Sequence, residues 1–452
     1  MKPTVAIAGA TGFIGRWFID QYKHKYRFIA LSRRLMKSED PDVEWRKVEL
    51  YSLSSTQEAL KGADFALYLV HSMQPSARLT QSSFENTDLV LADNFARAAE
   101  LNGLKQIIFL GGLLPEDLSK VSRHLRSRYE VELTLQSRSV ALTALRAGII
   151  VGPGGSSFRM IEKLIHRLPI LICPQWTQSR TQPIGLDDTL KMIDHCLGNE
   201  QFYNRALDLG GAKETTYLQM MRTVAKLMGK KRLMLAVPLF TLRLSKLWVA
   251  VLTDSSRTLA SPLVESLKHD LLVKDNELLQ QFPERQTFEQ AAQFALSNKE
   301  AVPALPKLVV TTTKKENTVR SVQRLPNPMD HSAIWVARRY QTWLPHFFRY
   351  LIKVDQRKET SVFRIGKWEL LMIKFIKDRS DEDRQLFYVV GGLLVKRKDY
   401  GWLEFRRVLG GKYVIAALHE FVPTLPWYIY VISQAQVHLW VMHRFGKYLG
   451  KN

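Results

Sequence analysis

The feature that most limits what this chain can fold into is its opening stretch, TVAIAGATGFIGRWFIDQY. An apolar run from Val5 to Ala8 stops at Gly9, and a helical pattern takes over after Gly15. Strand, glycine turn and helix in that order predict a βαβ unit. Gly9 would make the tight turn, Gly12 would let a pyrophosphate approach the backbone, and Gly15 would let the helix lie close to the strand. The backbone N–H groups of Thr11, Gly12, Phe13 and Ile14 would then face the phosphates, with the positive end of the helix dipole behind them. A tight turn that is merely glycine-rich would carry the same letters, but its place between a strand and a helix argues for a nucleotide.

The next strand, RFIALSRR, bears on which nucleotide. A site selective for NAD(H) places a carboxylate at the end of this strand to take the ribose 2′-OH. Here the positions read Ser32, Arg33 and Arg34. Two guanidiniums match the oxygens of a 2′-phosphate, so NADP(H) is expected as cofactor, with NAD(H) as the alternative. A solvated basic loop is the plainer reading of the same pair.

The 452 residues exceed one ordinary core and predict two or three domains. A net charge of +22 suits an acidic partner: anionic lipid, nucleic acid or a phosphorylated cofactor. The basic residues are spread along the chain and no nucleic-acid signature is present, which places a membrane surface ahead of specific nucleic-acid binding. Two cysteines, Cys173 and Cys196, are too few for a disulfide framework or a metal cage, so no metal site is expected and a reducing cytoplasm fits. Met1-Lys2-Pro3 runs straight into the first strand, and no run of about 18 apolar residues suggests a spanning helix. The expected location is therefore cytoplasmic, with peripheral contact to the inner membrane face as a further expectation.

Further along, VEWRKVEL reads as a third strand and ADFALYLVHSM as a strand buried on both faces, with His71 and Ser72 at its carboxyl end, where open α/β sheets bind ligands. A helix from about Phe84 to Asn102, the strand KQIIFLGGL, a helix through RHLRSRYEVELTLQ and the strand ALTALRAGIIVG continue the alternation. This predicts an α/β fold with a doubly wound, Rossmann-like parallel sheet.

GATGFIG at Gly9–Gly15 and RAGIIVGPG at Arg146–Gly154 resemble the extended and atypical branch of the short-chain dehydrogenase/reductase superfamily. YLVHSM, FLGGL, HLRSRYEVE and RTQPIGLDD, in this order, are similar to bacterial NAD(P)-binding members related to NmrA-like and complex I accessory-subunit proteins. The resemblance extends to about Asn298. It implies a serine after the fifth strand and a Tyr-x-x-x-Lys on the following helix, but here the serine position reads Gly111 or Gly112, and the tyrosine and lysine positions read His124 and Arg128. An arginine can still hold ribose hydroxyls, and a histidine can donate a proton near neutral pH, so Arg128 is expected at the cofactor and His124 as the catalytic acid. An exposed basic helix face is the competing reading of the run SRHLRSR.

The domain expectation is 1–298 for the NAD(P)-binding part, with its substrate portion mainly 152–298, then a linker over 299–316 and a second domain over 317–452. Phe158, Met160, Arg180 and Gln182 are candidate substrate-lining residues, and PLFTLRLSKLWVAVLTDSS is a candidate core or membrane-surface helix. Beyond the linker come one strand, one or two helices, five strand-like runs in antiparallel meander and a closing helix from about Trp427 to Leu449. That order resembles the α+β helix-grip, START-like fold and implies an apolar ligand between sheet and last helix. His438 and His443 are five apart and do not share a helix face as a metal pair would, and His419 and Glu420, adjacent in a strand, point to opposite faces. The expected function is an NAD(P)H-dependent oxidoreductase acting on an apolar carbonyl or quinone-like substrate. The rival is a catalytically silent NADP(H)-binding sensor or scaffold of a membrane-associated complex.

Overall fold

The computed structural model describes residues 2–71, 79–237, 267–309, 318–349 and 351–451. The contacts divide the chain into two units, residues 1–71 with 94–310 and residues 72–93 with 311–452.

The first unit is built on seven parallel strands: β1 (Thr4–Ala8), β2 (Arg27–Ser32), β3 (Val43–Lys47), β4 (Phe65–Tyr68), β6 (Gln106–Gly112), β7 (Ala141–Ala147) and β8 (Arg205–Leu209), the number five being kept for a strand of the second unit, β5 (Leu79–Gln81). Their spatial order is β3-β2-β1-β4-β6-β7-β8. The chain starts in the middle and winds outward in both directions, so the order reverses between β1 and β4, which is where such sheets open a ligand crevice at their carboxyl ends. The parallel, Rossmann-like α/β fold expected for this part is present.

Strand alternation explains how the layers assemble. Val5 and Ile7 of β1 face a core shared with α1 (Phe13–Tyr22) and α6 (Leu186–Cys196), where Phe18, Ile19, Leu190 and Ile193 are buried. On α4 (Arg123–Gln136), Leu125, Val131 and Leu135 are buried, and the helix packs on β6 and β7. A smaller core within the same unit gathers α5 (Ser156–Arg167), α7 (Tyr217–Leu227) and α9 (Phe288–Ser297) around Phe158, Trp176, Tyr217 and Met221. The run expected as a core or membrane-surface helix from Pro238 lies outside the described residues.

The second unit contains an eight-stranded sheet. β9 (Val319–Pro326) is followed by helix α10 (Ala333–Phe347), then by β10 (Lys353–Arg357), β11 (Thr360–Ile365), β12 (Trp368–Phe375), β13 (Arg384–Gly391), β14 (Trp402–Val408) and β15 (Tyr413–Phe421), and finally by α11 (Trp427–Ile432) and α12 (Gln434–Leu449). The six strands β10–β15 form an antiparallel meander, β9 pairs antiparallel with β15, and β5 adds to β9 in parallel. One face of the sheet, carrying Phe363, Phe387, Leu403 and Phe405, buries against Tyr340 of α10 and Met442 and Phe445 of α12.

Three expectations are corrected here. The meander has six strands, not five, because β10 is a polar edge strand, KVDQR, whose pairing on one side leaves no apolar alternation to read. The closing helix is two helices, interrupted at Ser433, whose ψ of −88° leaves the helical region. The expected division at 298 and 317 also differs, since residues 72–93 group with the second unit and the first continues to 310. Within the second unit Arg406 Nη1 donates to Asp93 Oδ2 at 2.6 Å, Asn86 Oδ1 accepts from Arg324 Nε at 3.0 Å, and β5 extends the sheet. These bonds attach a segment read as part of the first domain to a sheet more than 200 positions away.

Candidate functional site

The glycine turn has the shape its sequence requires. Gly9 takes a φ of 97°, a region open to glycine, and a Cβ there would stand 3.0 Å from Leu69 Cβ and 3.1 Å from its carbonyl carbon. Gly12 N donates to Gly9 O at 2.8 Å and Gly12 caps α1 in an extended conformation. A Cβ on Gly15 would fall 2.6 Å from Gly9 O and 2.8 Å from Ala10 Cα, so helix and strand approach too closely for any other residue. Ile14 turns into the core, Gly12 is exposed, and Thr11 and Phe13 lie between these extremes. The turn is a cradle that a side chain would fill, with an open face at Gly12, as a dinucleotide's pyrophosphate requires.

Arg33 and Arg34 are exposed just beyond β2, and Arg34 N donates to Ser32 Oγ at 3.2 Å, which bends the chain there. What lies beside them has no mark in the residue pattern. Residues 303–309, expected to be linker, return across the first unit: Pro303 O accepts from Arg16 Nη1 at 3.0 Å, Lys37 N donates to Lys307 O at 3.0 Å, and Val309 N donates to Leu35 O at 2.9 Å. Met36 and Leu308 form the antiparallel bridge, so Lys37 and Lys307 stand opposite each other. Like charges directly across a ladder are unfavourable. Arg33, Arg34, Lys37 and Lys307 form no ion pair among the described residues, so this edge of the site carries four uncompensated cations.

At the other end of the crevice the structure brings two of the sequence candidates together. His71 follows β4 and His124 lies in the first turn of α4, and their Nε2 atoms are 3.0 Å apart, with ring centroids at 5.0 Å. One ring must donate and the other accept across this contact. Sequence reasoning selected each histidine, but 53 intervening positions hid their contact. Arg128, one turn after His124, is buried; its Nη1 donates to Val70 O at 2.9 Å, its Nη2 to Leu110 O at 3.0 Å, and its guanidinium lies 4.7 Å from the Phe109 ring centre. It ties the carboxyl ends of β4 and β6 together through these contacts. Ser72 lies outside the described residues.

Gly111 and Gly112 stand close to neighbouring side chains at the positions where the resemblance implies a serine. A Cβ on Gly111 would meet the Phe109 ring at 2.8 Å, and one on Gly112 would meet Leu125 Cδ2 at 2.9 Å. A serine at either position would need the Phe109 ring or the Leu125 side chain to shift.

The substrate-lining expectations fare differently. Phe158 is buried in the smaller core, Arg180 is held by Asp270 at 3.0 Å and Glu214 at 3.4 Å, and Gln182 Nε2 donates to Gly211 O at 2.8 Å. Beside the edge strand β8 lies a polar cavity of about 470 Å³ whose lining includes Leu118, Tyr129, Arg146, Asp208 and Lys274. Burial raises the Asp208 carboxyl above its ordinary range, and Arg146 is clamped by both oxygens of Glu132. Neither histidine and none of the three glycines lines this cavity.

A parallel sheet with its order reversed beside a glycine turn defines a dinucleotide-binding type of fold. Residues 5–114 match the NAD dependent epimerase/dehydratase family. Auxiliary protein GraX of Staphylococcus aureus (strain NCTC 8325 / PS 47) is 32% identical over 114 residues, which is 25% of this chain and 37% of GraX, so little more than a third of that relative is spanned. Among solved structures, a nucleoside-diphosphate-sugar epimerase of S. aureus is similar with a TM-score of 0.52 and 17% identity, covering 65% of this chain and all of that one. Triphenylmethane reductase of Citrobacter sp. has a TM-score of 0.51 and 17% identity over 65% of this chain and 99% of its own. The NADPH-dependent quinone oxidoreductase QOR2 of Escherichia coli, solved with NADPH, has a TM-score of 0.50 and 17% identity over the same shares. At these identities the structures share the fold.

Proposed function

We propose that the first unit binds NADP(H) and reduces an apolar carbonyl or quinone-like acceptor, with the His71–His124 pair as proton donor. The observation that carries this reading is the 3.0 Å contact between the two Nε2 atoms at the carboxyl end of β4, two residues beyond the Leu69 that abuts Gly9. The cradle at Gly9, Gly12 and Gly15 fits a pyrophosphate, and the nicotinamide supplies a hydride when bound. His124, or His71 through it, delivers the proton to the oxygen of the reduced acceptor, and the partner ring takes over the hydrogen bond. QOR2, named as an NADPH-dependent quinone oxidoreductase, has a related fold and supports the acceptor class by analogy.

For the cofactor's phosphates, Gly12 is the decisive position. Its φ of −78° suits any residue, but a Cβ there would stand 3.0 Å from Gly9 O, so Gly12→Val both fills the cradle and presses on the turn that forms it. NADPH affinity measured by calorimetry should fall on the order of a hundredfold in a protein whose circular dichroism is unchanged. Equal affinity in the folded variant would remove the nucleotide site.

The 2′-phosphate falls to Arg33 and Arg34, with Lys37 and Lys307 adding charge from the ladder beside them. Arg33→Ala/Arg34→Ala should weaken NADPH by about 2 to 4 kcal/mol and leave NADH nearly unchanged. Lys307→Glu should shift the preference in the same direction by a smaller amount. A wild type that binds NADH as tightly as NADPH overturns this assignment.

The second reading, a silent NADP(H) sensor, is favoured by one observation: glycine stands at Gly111 and Gly112, where an active reductase would carry its serine, and a Cβ there would come 2.8 Å from the Phe109 ring or 2.9 Å from Leu125 Cδ2. For the second unit we propose a START-like, helix-grip domain that holds a small apolar ligand, on its order of strand, helix, antiparallel meander and closing helices.

A further inference from the structure

We infer that the second unit carries a docking surface for an anionic phospholipid bilayer, formed by α11, the exposed side of α12 and the basic loop after β13. α11 is PWYIYVI from its cap onward, and of its six residues only Tyr430 is buried. Tyr428 is 82% exposed, Ile432, one turn later, is 77% exposed, and Ile429 lies beside them. Val437 and Trp440, at helical spacing on α12, are exposed as well, with one side of the Trp440 ring against Phe347 and Phe348. Single exposed apolar residues are ordinary, but five on two consecutive helices, with aromatic rings among them, form a patch that water does not favour.

The surroundings of this patch identify its partner. Immediately before α11 the chain pairs with the loop Leu393–Lys398: Lys396 N donates to Val422 O at 2.9 Å, Thr424 N donates to Leu394 O at 3.1 Å, and Val395 bridges Pro423. That loop presents an exposed Leu393 and three exposed cations, Lys396, Arg397 and Lys398, against one carboxylate, Asp399. Lys396 and Lys398 form no ion pair among the described residues. From Phe421 to Asn452 the sequence contains no Asp or Glu, while Arg444 and Lys447 of α12 are exposed. An apolar, aromatic-bearing helix beside cations and nearly free of acids matches the headgroup boundary of an anionic leaflet, with rings and isoleucines entering the acyl edge and lysines meeting phosphates. No described helix is long and apolar enough to cross a membrane, so the attachment is to the surface.

Flotation of the full chain with lipid vesicles tests the inference. Vesicles of phosphatidylcholine mixed equally with phosphatidylglycerol should carry the protein upward, vesicles of phosphatidylcholine alone should not, and added salt should weaken the binding. Ile432→Asp should reduce partitioning on the order of tenfold, since it drives a carboxylate toward the lipid. Lys396→Glu/Lys398→Glu should reduce it about tenfold through charge alone. Both changes lie on exposed side chains, and unchanged circular dichroism and NADPH affinity would show that the chain is intact. Failure of the wild type to float with anionic vesicles, equal flotation with both lipids, or flotation unaffected by either variant overturns the inference. So does concentration-dependent self-association that Ile432→Asp abolishes, which would assign the patch to a second copy of the chain.

Discussion

Glu404→Gln should destabilise the full chain by about 3 to 5 kcal/mol, read as a lower denaturant midpoint, because it removes the one negative charge shared by two buried guanidiniums. Glu404 is fully buried; Arg384 Nη2 donates to its Oε2 at 2.8 Å, Arg406 Nη2 donates at 2.9 Å, and His419 Nε2 donates to Oε1 at 3.1 Å. Arg406 also holds Asp93 at 2.6 Å, so the same cluster ties the end of the segment 79–93 to the sheet. Burial by itself would raise the Glu404 carboxyl, but Arg406, Arg384 and the His419 bond outweigh it and hold the pKa well below the ordinary value. A depressed carboxyl contributes stability that is complete above the unfolded pKa of about 4.3 and is lost as pH falls through the folded value. Wild type should therefore unfold in acid below the usual glutamate range, and Glu404→Gln should flatten that dependence. A loss under about 1 kcal/mol would mean that solvent or relaxation compensates the two arginines.

How much of this was legible in the letters depends on whether a contact is local. The glycine cradle is local: three glycines within seven positions, each with its own steric reason, are readable before any coordinates. The parallel strands announce themselves by being apolar on both faces. The second unit's buried cluster does not, because Glu404 and Arg406 alternate with Leu403 and Phe405 like the outer face of an ordinary half-solvated strand. Their burial follows from partners on β13, β15 and residue 93 that no periodicity shows. The alternation expected for His419 and Glu420 does not hold, because the register between β9 and β15 shifts there and Glu420 takes a φ of 48°: His419 bonds Glu404, and Glu420 pairs with Arg320, which stands opposite both residues. The strap at 303–309 reads as linker because prolines and threonines lack a period, and its hydrogen bonds are made by backbone, which leaves no mark in side-chain pattern. His71 and His124 were each visible as a residue at the right end of the right element. Only the fold closes the distance between them.

That distance makes His124→Phe the variant that separates enzyme from sensor. If hydride is transferred, the new alkoxide or hydroquinone oxygen needs a proton, and the proposed donor is His124, backed by His71 at 3.0 Å. His124→Phe should then lower turnover by about 10²- to 10⁴-fold with NADPH affinity intact, the range for losing a general acid. His71→Asn should have a smaller effect on turnover, since it removes only the ring that backs His124 at 3.0 Å. Stopped-flow loss of nicotinamide absorbance on wild type and both variants, with quinones, enones and aldehydes as acceptors, reads these outcomes directly. Wild-type turnover that survives His124→Phe would leave a reductase whose proton comes from elsewhere, while the absence of turnover with every acceptor would leave the NADP(H) cradle intact and favour the sensor. The glycine variant keeps the two failures apart. Gly12→Val tests whether the cofactor is held, and His124→Phe tests what the chain does once it is.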